Sequence, residues 1–160
     1  MEGKERKDFK FPKLTPAAVD YSYLKPPAVV NYHDVEGVEY FPEGGGITKF
    51  LVTEYTAGAV HHNGGIFLAE PGQGSSWHTH PEETEEEEIM YIVEGEGTLY
   101  YKQNRTDYEI PFKKGDGIFT GHLTHCVKNT GKKPLRVLFY LAPLPMTCLL
   151  YTSPSPRDRS

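Results

Sequence analysis

Two stretches of this chain carry residue types that can do metal chemistry. The first is His78-Thr79-His80, followed eight residues on by Glu88; the second holds His125 on a separate β-like run. Three imidazoles and a carboxylate form a coordination shell of intermediate softness. It suits one divalent transition ion (Fe, Mn, Ni, Co or Zn) and disfavours Ca and Cu(I). Six-coordination leaves two positions open, enough for a chelating substrate or for a substrate beside O2. A single open position suits a Lewis acid that polarises a carbonyl. One carboxylate leaves the site formally cationic, which favours an anionic substrate.

Such a shell requires local structure that aims four side chains at one point. Strand side chains alternate between faces, so His78 and His80 share one. Glu88, Met90 and Ile92 share another in the run Glu88–Val93, and glycines bracket the whole at Gly72, Gly74, Gly95 and Gly97. Strand-like runs are predicted at Ile47–Tyr55, Gly65–Glu70, Ser76–His80, Glu88–Val93, Gly97–Tyr101, Thr106–Ile110, Gly117–Phe119, Thr124–Lys128 and Leu135–Leu141. Short strands cut by Gly, Pro, Asn and Asp turns indicate an all-β, antiparallel barrel or double sheet. Asn104-Arg105-Thr106 reads as a hairpin turn, and so does Asn63-Gly64-Gly65 after the surface pair His61-His62. Met90, Ile92, Phe119, Val127 and Phe139 are candidates for a pocket wall, whereas Tyr91 is expected to fill the space between sheets. His122, three residues before His125, is the candidate acid/base or substrate contact. Glu82–Glu87 reads as a solvated acidic loop or lid.

Taken together, these stretches resemble the two motifs of the cupin superfamily. The first motif is Gly, five residues, His-x-His, three or four residues, Glu, six residues, Gly. Gly72 with His78-x-His80 fits it, and so does Glu88 with Gly95. The second motif is matched by Gly115-Asp116-Gly117-Ile118-Phe119-Thr120, His125 and Asn129, with Thr120-Gly121-His122 where Pro-x-Gly is usual. The gap from His80 to Glu88 is longer than usual and filled by Pro81-Glu82-Glu83-Thr84-Glu85-Glu86-Glu87. Glu85 keeps the usual distance from His80 but would put Ile92 where the motif has Gly, so Glu88 is the chosen ligand. The resemblance covers about residues 28–143 and is similar to small single-domain bacterial and archaeal cupins. It implies a single double-stranded β-helix (jelly-roll) barrel with metal ligands His78, His80, Glu88 and His125. It further implies an enzyme acting on a small oxygenated molecule, foremost a dioxygenase or decarboxylase. The alternatives are a metal-dependent isomerase or lyase and a non-catalytic small-molecule-binding protein.

Composition bounds the partners. The net charge is −5, with six of the 22 acids in Glu82–Glu88. No basic face is available for nucleic acid. No apolar stretch reaches membrane-spanning length, and Met1–Lys7 lacks the apolar core of a signal peptide, so the expected location is cytoplasmic. Residues 1–20 read as a charged, disordered lead-in and residues 21–147 as the barrel domain. The aromatic, Pro-rich segment Tyr21–Tyr32 is expected to cover the barrel and mediate a homodimer. Cys148–Asp158 resembles an in-frame translation of a transposase sequencing adapter, so residues 148–160 are read as non-native. Cys126 alternates away from His125 and is expected neither to pair nor to ligate.

Overall fold

The computed structural model describes residues 26–142, apart from 60, 81, 83 and 84. Expectations for residues 1–25 and 143–160 (the lead-in, most of Tyr21–Tyr32 and the foreign-looking tail) lie outside the described residues. Among the described residues the strands are β1 (Val38–Phe41), β2 (Gly46–Val52), β3 (Asn63–Ala69), β4 (Glu87–Glu94), β5 (Glu96–Gln103), β6 (Thr106–Lys113), β7 (Gly117–Phe119), β8 (His125–Lys128) and β9 (Leu135–Ala142). They form two antiparallel sheets, ordered β1-β2-β3-β9-β4-β7 and β6-β5-β8. Placing β9 between β3 and β4 gives the crossover of a jelly roll, the architecture expected from the sequence. No helix among the described residues is long and apolar enough to cross a membrane.

Alternation of side chains explains where the core lies. On β4, Glu88, Met90 and Ile92 are buried while Glu87, Ile89 and Tyr91 are exposed, the period of two expected of a strand with one covered face. Ile92, Val137 and Leu135 are almost wholly buried, with Phe67, Leu99 and Phe112 around them. Each large aliphatic side chain so covered stabilises the fold by about 1.5–3 kcal/mol. β2 and β3 approach so closely at Gly65 that a Cβ there would lie 2.1 Å from the Lys49 carbonyl oxygen. The β5–β6 hairpin turns at Asn104 and Arg105, with φ of 52° and 65°, as a two-residue primed turn requires.

Several local expectations are corrected. Ser76–His80 is not a strand; it touches the sheet only through a bridge between His78 and His125. Asn63-Gly64-Gly65 is not a turn but the start of β3, paired with β9. The chain reverses before it through a short helix, α1 (Glu54–Ala57), capped by Thr53 and Gly58. Tyr55 therefore leaves the strand predicted for it. β1 has no counterpart among the predicted strands. Tyr91 and Phe119 lie on the outer sheet face, 50% and 61% exposed, and not between the sheets or on a pocket wall. Tyr32, at the end of the aromatic segment, does lie over the barrel exterior. Its carbonyl accepts a hydrogen bond from Lys49 Nζ at 3.0 Å, and Arg136 sits 5.7 Å from its ring centroid.

Candidate metal centre

Three pieces of local structure aim the four candidate ligands. Glu88 faces inward because it shares the buried face of β4 with Met90 and Ile92. His125 opens β8 and is 1% exposed. The segment carrying His78 and His80 runs beside β8: His78 N donates to His125 O at 3.0 Å, and His125 N donates back to His78 O at 2.9 Å. That exchange sets the two imidazoles side by side, with ring centroids 4.4 Å apart. His80 follows with centroids 5.3 Å from His78 and 5.4 Å from His125.

The four side chains converge. Ligand atoms of His78, His80, Glu88 and His125 all lie within 4.8 Å of one another. Glu88 Oε2 is 3.3 Å from His80 Nε2 and 3.2 Å from His125 Nε2. Donors about 2.0–2.2 Å from one ion would stand about 3 Å apart where adjacent, so this cluster fits a divalent ion. The other ring nitrogens are all engaged. His78 Nδ1 donates to Ser76 O at 2.8 Å, His125 Nδ1 to Leu123 O at 2.8 Å, and His80 Nδ1 to Glu86 Oε1 at 2.9 Å. Carbonyl and carboxylate oxygens only accept, which puts a proton on Nδ1 and leaves Nε2 facing inward, where an ion would replace the proton that His80 and His125 share with Glu88. Glu85, the rival ligand, is exposed with φ 54° and is not in the cluster.

Glu86 is the functional residue that sequence reasoning missed. It was counted in a solvated loop, yet its side chain is only 14% exposed and ion-paired with His80. The unusually long gap between His80 and Glu88 was the available signal. Loss of this partner, as in Glu86→Leu, is expected to weaken metal binding about ten- to hundredfold. Chelator competition measures it, and an unchanged affinity would leave Glu86 without that role.

The electrostatics follow from this packing. Burial alone would raise the Glu88 carboxyl, but the hydrogen bonds and charges of His125 and His80 hold it down at about 2. Burial likewise opposes charge on His80, but Glu88 and Glu86 outweigh it and raise its pKa above 6.5. Burial lowers His78, assisted by the neighbouring His125 and His80. Protons and an ion compete for the same nitrogens. Proton uptake at His80 begins above pH 6.5 and at His78 below it, while Glu88, at about 2, stays ionised. Metal affinity is therefore expected to fall with pH, beginning above pH 6.5 as His80 takes up a proton and steepening below it as His78 follows. A slope that does not steepen in this way, measured by competition titration at constant ionic strength, contradicts this.

The cluster opens onto a cavity of about 400 Å³, walled mainly by Phe41, Phe50, Phe67, Met90, Val137 and Phe139. No Lys or Arg is among its lining residues. Of the predicted wall residues, Met90, Val127 and Phe139 line it; Ile92 is buried core. His122 is not on the cavity wall. Its Nδ1 donates to the His80 carbonyl oxygen at 3.2 Å, and its own carbonyl accepts from Thr79 Oγ1 at 3.2 Å.

Comparisons with known proteins agree with the fold. Residues 65–141 match the family described as the cupin domain. The chain is 32% identical over 101 residues to protein SchB of Streptomyces halstedii, spanning 62% of this chain and 68% of that one. It is 30% identical over 112 residues to polyketide synthase CurC of Streptomyces cyaneus, spanning 69% and 68%. Among solved structures, one described as a predicted oxalate decarboxylase from Thermotoga maritima superposes with a TM-score of 0.57 at 27% identity, covering 73% of this chain and all of that one. With two jelly-roll sheets around a His/Glu cluster and these relatives, the chain belongs to the cupin superfamily.

Proposed function

We propose that His78, His80, Glu88 and His125 hold one divalent transition ion, and that the chain is an enzyme acting on an enolisable, largely apolar oxygenated molecule, of the β-dicarbonyl or phenolic type. The observation that carries this reading is the wall. A cavity built mainly from aromatic and aliphatic side chains, with no Lys or Arg among its described lining residues, leads directly to the cluster. Apart from the ion itself, this wall offers the second carboxylate of a small dicarboxylate no Lys or Arg partner; a planar, neutral ligand gains from burial against Phe rings. One relative points the same way by name, being called a polyketide synthase. When bound, the ion would supply Lewis acidity to a chelating pair of oxygens and, if redox-active, a position for O2.

The chain's own residues do the rest. Ser76, Leu123 and Glu86 fix the imidazole orientations, so little reorganisation is needed when a ligand arrives. The Phe walls exclude water, which strengthens every electrostatic contact inside. Oxygenation of an enolised diketone is the first reading. Non-oxidative carbon–carbon chemistry on a similar substrate, as by a lyase or isomerase, is the second, favoured by the polyketide relatives. Metal analysis after purification without added metal, followed by O2-uptake assays, separates them. Uptake with acetylacetone and benzoylacetone but not with oxalate is the expected result; anaerobic turnover selects the second reading. A protein that takes up no ion on reconstitution overturns both.

A further inference from the structure

We infer that Thr48 and Asn63 are two separate polar contacts for the substrate within the cavity, either of which binds an oxygen carried beyond the pair that chelates the metal. This rests on the proposed reading of the site and names the class of molecule further: one carrying a distal hydroxyl or carbonyl in addition to its chelating pair.

Thr48 is 3% exposed, and its hydroxyl has no hydrogen-bond partner; the side-chain oxygen of Asn63 is likewise buried and unpartnered. Both residues line the cavity. A buried polar atom left unpaired costs free energy and calls for an explanation. Two other hydroxyls of the wall are already engaged: Ser75 Oγ accepts from Val127 N at 3.0 Å, and Thr79 Oγ1 is bonded to the His122 carbonyl. Tyr40, also on the wall, is largely exposed. Thr120 Oγ1 is a third unpartnered polar atom, but it is not on the cavity wall.

The strand registers place the two residues usefully. Asn63 pairs with Leu141, which pairs with Glu88, so Asn63 and Glu88 lie in one inward row two strands apart, about 10 Å at ordinary strand spacing. Thr48 pairs with Phe67, Phe67 with Val137, and Val137 with Ile92, the deepest buried row. Between these rows lie Phe50, Gly65, Phe139 and Met90. The cavity thus has a metal-binding cluster, an apolar middle, and two uncommitted polar atoms on adjacent strands of one sheet, Thr48 on β2 and Asn63 on β3, four residues apart in register. A hydroxyl can donate or accept and the carboxamide oxygen accepts, so a ligand O–H satisfies either.

The test compares benzoylacetone with its para-hydroxy analogue on metal-loaded protein, by competition or calorimetry. The wild type is expected to bind the hydroxylated compound about tenfold more tightly. Thr48→Val or Asn63→Leu, whichever removes the atom that the hydroxyl meets, reduces that preference, and the double variant abolishes it. Thermal stability of the ligand-free protein gives an independent readout. Thr48→Val should unfold at the same temperature as wild type or higher, because it removes an unpaired hydroxyl, whereas a structural threonine would show a drop. Equal binding of the two compounds by wild type, or a preference that survives in the double variant, overturns the inference and leaves the proposed function standing. Failure of metal-loaded protein to bind either diketone overturns both.

Discussion

His125→Ala is expected to strip the purified protein of nearly all its metal, while His122→Ala keeps a full complement. His125 is 1% exposed, its Nδ1 is tied to Leu123 O, and its Nε2 stands 3.2 Å from Glu88 Oε2. Its loss removes one donor of four and leaves the buried Glu88 with one imidazole fewer. The affinity change should exceed the ten- to hundredfold typical of an outer hydrogen-bonding partner. His122 only bonds the His80 carbonyl, so its removal perturbs the loop and not the donor set. Elemental analysis of both variants, with circular dichroism to verify folding, decides the matter. Metal retained by His125→Ala and lost by His122→Ala would reverse the assignment of the second motif.

Asn129→Ala should destabilise the barrel by about 3–5 kcal/mol, among the largest effects open to a single polar substitution. Asn129 is 0% exposed, and its amide nitrogen donates to Ala69 O and Lys133 O, both at 2.8 Å. Its amide oxygen accepts from Gly131 N at 3.0 Å. Its backbone meanwhile ties to Gly72 and Gln73. One side chain therefore holds the end of β3 and the turn leading into β9, and truncation would strand two carbonyls and an N–H away from water. Urea unfolding monitored by fluorescence reads the change. A loss under about 1 kcal/mol would show that water replaces the amide freely, contrary to its complete burial.

Much of the barrel was legible because several strands alternate: β4, β5 and β9 fall near their predicted ranges, one face of each being covered. Ser76–His80 misled because alternating side chains there serve the cluster and not a ladder. Asn63-Gly64-Gly65 carries turn chemistry but is used as strand, the glycines meeting a need for close approach and not for positive φ. β1 escaped notice because its four residues are mostly exposed and show no buried face. At the site, parity and spacing were enough to bring His78, His80, Glu88 and His125 forward as one group. They could not reveal which loop glutamate turns inward, since Glu86 differs from its neighbours only in where the backbone carries it. Nor could they show the uncharged wall, which is assembled from residues far apart in the chain.

The four cluster residues also differ in how firmly the chain holds them over time. Glu88 and His125 grow from strands inside a hydrogen-bonded ladder, whereas His78 and His80 sit on a connection held by scattered bonds: the reciprocal pair between His78 and His125, Ser75 against Val127, and Thr79 and His80 against His122. Fewer bonds must break for that connection to swing out than for a strand to leave its ladder, and such local openings cost far less than global unfolding. Each excursion would withdraw two donors together and leave two behind on a rigid wall. The residence time of a bound ion should accordingly track the opening frequency of residues 75–80, so that amide exchange at His78 and metal release share one clock.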